Sequence, residues 1–434
     1  MSLKSILKNS TPLFLLKIKR KIHIKYIDSK TKKDLKKTKK SQPLILKQLQ
    51  NKEKLNVIFL VIHDSVWKYE EIYKLLENDP KFKVEIVVIP LVRSDMGDME
   101  VFNKTLYYFI QNNYNVISSF DKVNTEWLDI KQITKPDIVF FTNPHKLTFN
   151  KYYISNFTNT LTCYVPYAFV VIHLLESHYN QAFHKYLWKY FIETKYHQKF
   201  SNQFIDIDSR NTIVTGFPGL DKKFNPSFNP KNVWKPSIKK TIKIIWAPHH
   251  TIKGQDSGLN YSSFMEYSSY FMEFLQQNKN IQIAFKPHPL LKEKLYLDKD
   301  WGKTKTDLYY KKWNEIPNGQ LEEGEYLSLF HYSDAMILDS ASFIVEYLYF
   351  NKPIIFTMKD DSILDRFNSF GKKVFNYLYK AKNKSDINIF INNVIQNKDE
   401  LSIERDKFLN EVILPNNRKT ASENIYNELK KELC

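Results

Sequence analysis

Only nine glycines occur in 434 residues, and none falls into a GxGxxG or GxxxxGKS/T pattern. Both patterns use glycine to let backbone approach a phosphate, so their absence argues against nicotinamide-dinucleotide enzymes and P-loop kinases. The two cysteines, Cys163 and Cys434, are too few for a disulfide framework or a four-cysteine zinc site. Together with the lack of a clean signal peptide, they point to a cytosolic chain. No apolar run approaches the roughly eighteen residues of a membrane-spanning helix. GxSxG elbows and HExxH helices are also missing. What is present is a globular composition, 43% hydrophobic and 15% aromatic, in a chain long enough for two or three domains.

The formal charge of +18 is unevenly placed: residues 1–50 hold 15 Lys/Arg against Asp28 and Asp34. This arm therefore carries +13, and the remaining 384 residues only +5. Within it Leu13-Phe14-Leu15-Leu16 and Ile18 adjoin Lys17, Lys19, Arg20 and Lys21, and further lysines follow at 32–40. Leucine and isoleucine among lysines suit an interfacial segment, drawn to anionic lipid by about 1 kcal/mol per basic residue. A nucleic-acid arm has the same charge, and so does a solvated tail. The apolar cluster favours the membrane, because phosphate contacts alone do not require it. A mitochondrial targeting segment fits poorly, since these are Arg-rich and this arm is almost all Lys.

From Asn56 the pattern becomes strands alternating with helices. Strands are predicted at 57–62, 84–89, 116–117, 137–142 and 161–165, with helices at 69–76, 96–111 and 127–133 between them. Residues 176–200 read as an aromatic-rich helix, and a strand at 212–215 ends in Gly216-Phe217-Pro218-Gly219. Pro218, Pro226, Pro230 and Pro236 mark 218–240 as a linker. A second series follows, with strands at 242–246, 281–285, 335–338 and 353–357 and helices at 264–277, 326–330 and 343–350. Helices near 385–397, 400–412 and 420–433 close the chain. This alternation predicts an α/β fold of two doubly wound, Rossmann-like parallel sheets. The expected division is an arm at 1–50, a first domain at 51–217, the linker, a second domain at 241–415 and a final helix at 416–434.

Chemistry-bearing residues collect where strands end, which is where open α/β sheets bind ligands. Phe285-Lys286-Pro287-His288-Pro289 follows one strand, its prolines fixing the turn. A point-charge Lys286 and a donor His288 suit a diphosphate, although a surface turn has the same composition. Asp339-Ser340-Ala341-Ser342 follows another strand and opens the expected helix at 343–350. Its bland role is capping; its functional role adds Ser340 and Ser342 as phosphate donors, with Asp339 holding the loop. Glu346, one turn on, is placed either to accept from ribose hydroxyls or to face solvent. Trp246-Ala247-Pro248-His249-His250-Thr251 puts His249 and His250 on a third strand-end loop, able to donate to phosphate or move a proton. A zinc reading lacks a third ligand nearby in sequence. His63 and His145 follow first-domain strands and are candidate bases, each equally explained as a loop residue. Asp206-Ile207-Asp208 and Asp298-Lys299-Asp300 are DxD pairs that follow no strong strand and are better explained by chance.

At these residues the chain resembles the bacterial CDP-glycerol glycerophosphotransferases, the teichoic-acid polymerases and their capsule-synthesis relatives. The resemblance is carried by Ser333-Asp334-Ala335-Met336-Ile337-Leu338-Asp339-Ser340-Ala341-Ser342-Phe343, Glu346-Tyr347 and Asn351-Lys352-Pro353-Ile354-Ile355-Phe356. Lys286-Pro287-His288-Pro289, Ala247-Pro248, the Thr215-Gly216-Phe217-Pro218 turn and the segment from Arg405 to Glu423 add to it. It extends from about 212 to 430. It implies a GT-B fold, with the nucleotide donor held by the second domain through Lys286, His288, Asp339, Ser340, Ser342 and Glu346. The implied reaction moves a polyol phosphate, glycerol phosphate foremost, from a CDP-activated donor to a hydroxyl of a cell-surface glycan or lipid-linked acceptor, releasing CMP. No metal or cofactor is required, no nucleic-acid partner is expected, and residues 1–50 would hold the protein at the inner face of the cell membrane. The family usually carries a Trp-His-Gly element whose His is the proposed base. The comparable strand here reads Leu161-Thr162-Cys163-Tyr164-Val165-Pro166-Tyr167, so the base falls to His63 first and His249 or His250 next. Ala341 also stands where the family often has Ser. Two other readings stay open: a GT-B glycosyltransferase using a nucleotide sugar, and a non-enzymatic basic protein binding membrane or nucleic acid.

Overall fold

Continuous apolar segments become parallel strands when helices cover both faces of their sheet, and that is the fate of nearly every such run here. The structure is a computed structural model and describes residues 13–94, 96–205, 211–237, 239–252 and 260–434. The first sheet contains β1 (Leu55–Val61), β2 (Phe82–Val88), β3 (Val116–Ser118), β4 (Ile138–Phe141), β5 (Leu161–Tyr164), β6 (Lys189–Ile192) and β7 (Thr212–Val214). Their order is β7-β6-β5-β4-β1-β2-β3, with every pairing parallel. The second sheet contains β8 (Ile242–Ala247), β9 (Ile281–Phe285), β10 (Gly319–Leu321), β11 (Ala335–Leu338), β12 (Ile354–Thr357) and β13 (Tyr379–Ala381). Its order is β10-β9-β8-β11-β12-β13, again parallel throughout.

Counted within each half, the second sheet has the doubly wound order 3-2-1-4-5-6, and the first has the same order with a seventh strand added beside the sixth. The winding reverses between β1 and β4 in the first and between β8 and β11 in the second. A crevice opens there because the two flanking connections leave on opposite faces. The expected α/β fold of two Rossmann-like domains is therefore the observed one. The halves share packed side chains. Ile172 bridges to Phe367, the Asn368 amide donates to the Val170 and Ile172 carbonyls, and Phe169 lies 6.4 Å from Phe370 between ring centroids.

Two helices tie the chain ends to the first half. Helix α1 (Leu13–Gln50) spans 38 residues, roughly 57 Å at about 1.5 Å per residue. Its last part is docked: Leu49 is buried, Lys39 Nζ donates to the Leu187 carbonyl at 2.8 Å, and Gln42 to Tyr186 at 3.1 Å. Helix α2 (Ala421–Leu433) starts with a capping box of Thr420 and Glu423 and buries Ile425, Leu429 and Leu433 in the first-half core. Lys189, on β6, binds Glu428 and Glu432 of α2 at 2.7 and 2.6 Å.

Three expected helices differ. Residues 176–200 are two short helices, strand β6 and a further helix (Lys195–Ser201) rather than one helix. Helical aromatic spacing misleads there, because Tyr190, Phe191 and Ile192 are buried between the neighbouring strands, and tertiary pairing outweighs local pattern. Residues 343–350 form turns and then a 3-10 helix (Glu346–Phe350), ended by Asn351 in the left-handed region at φ 47°. Glu346, Tyr347, Leu348 and Tyr349 are all buried, so no amphipathic face fixes an α-helix. The helix at 127–133 is only Ile130–Thr134, because Glu126-Trp127 pairs with Phe120-Asp121 as a small hairpin. The three-residue strands β10 and β13 and the helix Gly302–Glu315 are further elements, outside those the sequence pattern predicts.

Candidate active site

At the second sheet's reversal point, β8 ends in Ala247, Pro248 stops the ladder, and His249-His250 turn across the crevice mouth. Asp339 leaves β11 directly opposite and is 1% exposed. Its Oδ1 accepts the His249 N–H at 2.5 Å, and its Oδ2 accepts the Ser263 N–H at 2.6 Å and hydroxyl at 2.7 Å. Burial pushes this carboxyl up to about 6, against the pull of those bonds. A buried acceptor holding three donors fixes both loops.

The turn after β9 is fastened to the same place. Lys286 N–H donates to the Trp246 carbonyl at 2.8 Å, and His288 N–H to the Pro248 carbonyl at 3.0 Å. Two turns separated in sequence thus bring three imidazoles together. Ring centroids lie 4.3 Å apart for His249–His250, 4.3 Å for His250–His288 and 5.1 Å for His249–His288. Ring nitrogens of all three fall within 4.8 Å of one another.

Their hydrogen bonds favour an anion over a metal. His249 Nδ1 accepts the Thr251 N–H at 3.3 Å, and His288 Nδ1 accepts the Leu290 N–H at 3.2 Å. A neutral ring accepting at Nδ1 carries its proton on Nε2, which makes it a donor. A metal-bound imidazole uses its second nitrogen in the opposite sense, donating to an oxygen. Burial keeps the rings uncharged. His249 is held well below its ordinary value by burial, then by His250 and His288; His250 falls to about 4 and His288 to about 3, burial again foremost. His250 Nδ1 is buried with no partner.

The other expected donor-side residues are placed unequally. Ser340 Oγ accepts the Ser342 N–H at 3.2 Å, so this turn is stabilised by its own hydroxyl. The short helix beyond it provides no regular N-terminal site. Lys286 is 6% exposed, and its Nζ donates to the Gly324 carbonyl at 2.7 Å. Burial lowers that amine to about 8, while Glu322, Glu325 and Glu323 favour its charge. Glu346 is 3% exposed with Oε2 unpartnered. Burial raises its carboxyl, and Lys68 and Tyr326 oppose the shift. Lys68 belongs to the first half and donates to Tyr326 OH at 2.9 Å, so Glu346 sits in an inter-domain cluster.

A cavity of about 160 Å³ lies between the halves. His249 and Ser342 line it from the second half, and Tyr164, Tyr167, His178 and His184 from the first. His63 does not line it; it follows β1, with Nδ1 2.6 Å from Ser65 Oγ. His145 stands behind the wall, its Nδ1 accepting from the Gln181 amide at 3.2 Å. His178 and His184 went unrecognised in the sequence because 176–200 reads as one structural helix. The available signal was the four histidines at 173, 178, 184 and 197. A larger groove of about 450 Å³ lies by the linker, lined by Glu71, Lys74, Lys222 and Ser328, and holds none of the candidates. Asp206-Ile207-Asp208 lies outside the described residues. Asp298 caps its own turn, accepting from the Asp300 and Trp301 N–H groups.

The model of a family described as CDP-glycerol:poly(glycerophosphate) glycerophosphotransferase matches residues 174–431. No curated protein sequence matches the chain. Similar solved structures include the wall teichoic acid polymerase TagF, at 12% identity and TM-score 0.54, covering 96% of this chain and 97% of that one. A TagF variant soaked with CDPG has 12% identity and TM-score 0.57, with 93% and 98% covered. S. aureus MnaA with UDP has 16% identity and TM-score 0.54, with 88% and 97% covered. At these identities the structural likeness bears on the fold.

Proposed function

The chain belongs to the CDP-glycerol:poly(glycerophosphate) glycerophosphotransferase family, and on that premise we propose that it transfers glycerol phosphate from CDP-glycerol to a hydroxyl of a cell-surface glycan or lipid-linked acceptor, releasing CMP. The observation that carries this reading is the convergence of His249, His250 and His288 on the loops that Asp339 pins at the second sheet's reversal point. Neutral imidazoles presenting Nε2–H at His249 and His288, with Ser342 lining the same cavity as His249, suit a diphosphate. They donate to its oxygens without the desolvation penalty of buried cations. Lys286 supports the loop after β10 and contributes positive charge beneath the site.

In the reaction, the acceptor oxygen attacks the β-phosphorus in line and the bond to the CMP oxygen breaks. Positioning and charge stabilisation dominate such transfers. No step needs a metal. The membrane-surface role of the basic arm is assigned to its part before residue 31, because 31–50 packs on the first half. No helix among the described residues is long and apolar enough to cross a membrane.

The test is CMP release from CDP-glycerol in the presence of a glycerol-phosphate-terminated acceptor. Acceptor-dependent CMP is expected. Absence of CMP, with UMP or UDP formed from UDP-sugars instead, would refute the reading in favour of a glycosyltransferase.

A further inference from the structure

Transfer to a hydroxyl requires a group to take its proton, and the cavity between the halves brings two unassigned histidines to the donor site. His184 is 1% exposed, its Nδ1 is buried without a partner, and its ring stacks on Tyr190 at 5.1 Å. It is wedged among aromatic rings and forms part of the wall. His178 is half-buried at the end of the short helix Leu175–Tyr179. Among the described residues, no hydrogen bond engages either of its ring nitrogens. Its neighbour His145, 6.4 Å away between centroids, is engaged by Gln181. On the opposite wall, His249 has its Nδ1 committed to Thr251. Of the two cavity histidines with an unengaged ring nitrogen, His178 is the one with solvent access to accept and release a proton, whereas His184 is 1% exposed.

We propose that His178 is the catalytic base of the transfer, accepting the proton of an acceptor hydroxyl seated in this cavity. The proposal rests on the CDP-glycerol reading above. The hydroxyl oxygen bonds to the β-phosphorus, the bond from that phosphorus to the bridging oxygen breaks, and CMP leaves with its electron pair. The proton passes to the free His178 nitrogen, and the imidazolium returns it to solvent after product release. Burial, aided by His145, lowers His178 to about 4, so the ring enters the cycle neutral. The negative charge of a bound diphosphate then favours its protonation.

The test compares the full-length protein with His178→Gln and His178→Ala, measuring CMP release, CDP-glycerol Kd and Tm. Loss of a base predicts that kcat falls about 10²- to 10⁴-fold while Kd changes less than about threefold. Added imidazole should restore at least about tenfold of the lost turnover in His178→Ala, a rescue that a purely structural role would not allow. Turnover within about tenfold of wild type in either variant overturns the assignment. So does a parallel loss of CDP-glycerol affinity, or an unfolded variant with no imidazole rescue. Failure of the wild-type protein itself to release CMP is a different result, which overturns the transfer reading and this assignment with it.

Discussion

Asp339 shows how one buried carboxylate decides the position of groups far apart in sequence. Its two oxygens hold loops beginning at 249 and 263. Asp339→Ala leaves the His249 and Ser263 N–H groups buried without an acceptor, while the Ser263 hydroxyl keeps Thr357 Oγ1 at 2.8 Å. Relief of the buried charge offsets part of their cost, leaving a net loss of about 2–4 kcal/mol, to be read by denaturant unfolding. The KM for CDP-glycerol should rise at least about tenfold as His249 loses its anchor. The histidines make a second prediction, in pH. With His250 held near about 4 and His288 near about 3, the rings stay neutral from pH 6 upward. The imidazoles should therefore contribute no loss of CDP-glycerol affinity between about pH 6 and 7.5, where only the shallow edges of Asp339 at about 6 and Lys286 at about 8 titrate. Rings with the ordinary value near 6.5 would shed positive charge across that interval and weaken anion binding as pH rises. Calorimetric titration at several pH values distinguishes the two, and a steep fall would contradict the neutral-donor site.

At the scale of elements, helix α1 divides into two parts with different work. Residues 31–50 pack on the first half through Lys39, Gln42 and Leu49, and Gln50 reaches the Glu432 carbonyl of α2 at 2.8 Å. Removing residues 1–30 should leave Tm within a few degrees and soluble turnover intact, while binding to anionic vesicles falls. Removing 1–50 should also lower Tm, because it uncovers that packed surface. Vesicle sedimentation and thermal melts read the two effects, and undiminished vesicle binding by the 31–434 protein would dismiss the membrane role. Local pattern failed where packing decided. The aromatics of 176–200 have helical spacing, yet Lys189–Ile192 extends because β5 and β7 leave a strand-sized gap between them. The apolar run after Ser342 likewise became a 3-10 turn, being enclosed on every side.

Across the whole molecule, the two parallel series were legible because apolar runs alternating with amphipathic segments have few other ways to bury themselves. Pro248, Pro287 and the residues beside them were also legible as strand-end loops, since proline ends a ladder wherever it falls. What the sequence could not order is the strands within each sheet. Both reversal points, and hence the meeting of the 249, 288 and 339 loops, depend on crossovers between segments up to ninety residues apart. The third member of the histidine cluster was invisible for that reason. Along the sequence a zinc site lacks a third ligand; His288 supplies one from the neighbouring turn, and the backbone N–H bonds to Nδ1 of His249 and His288 weigh against a metal there. The cavity histidines are a stronger case, because His178 has no local signature and comes to line one cavity with His249 and Ser342 only through the packing of the two halves. By itself, then, the sequence determined the architecture and the strand-end loops, which arise from periodicity and backbone chemistry local to each segment. The tertiary structure alone decided which side chains share a cleft, because proximity between distant segments is set by sheet order and domain packing.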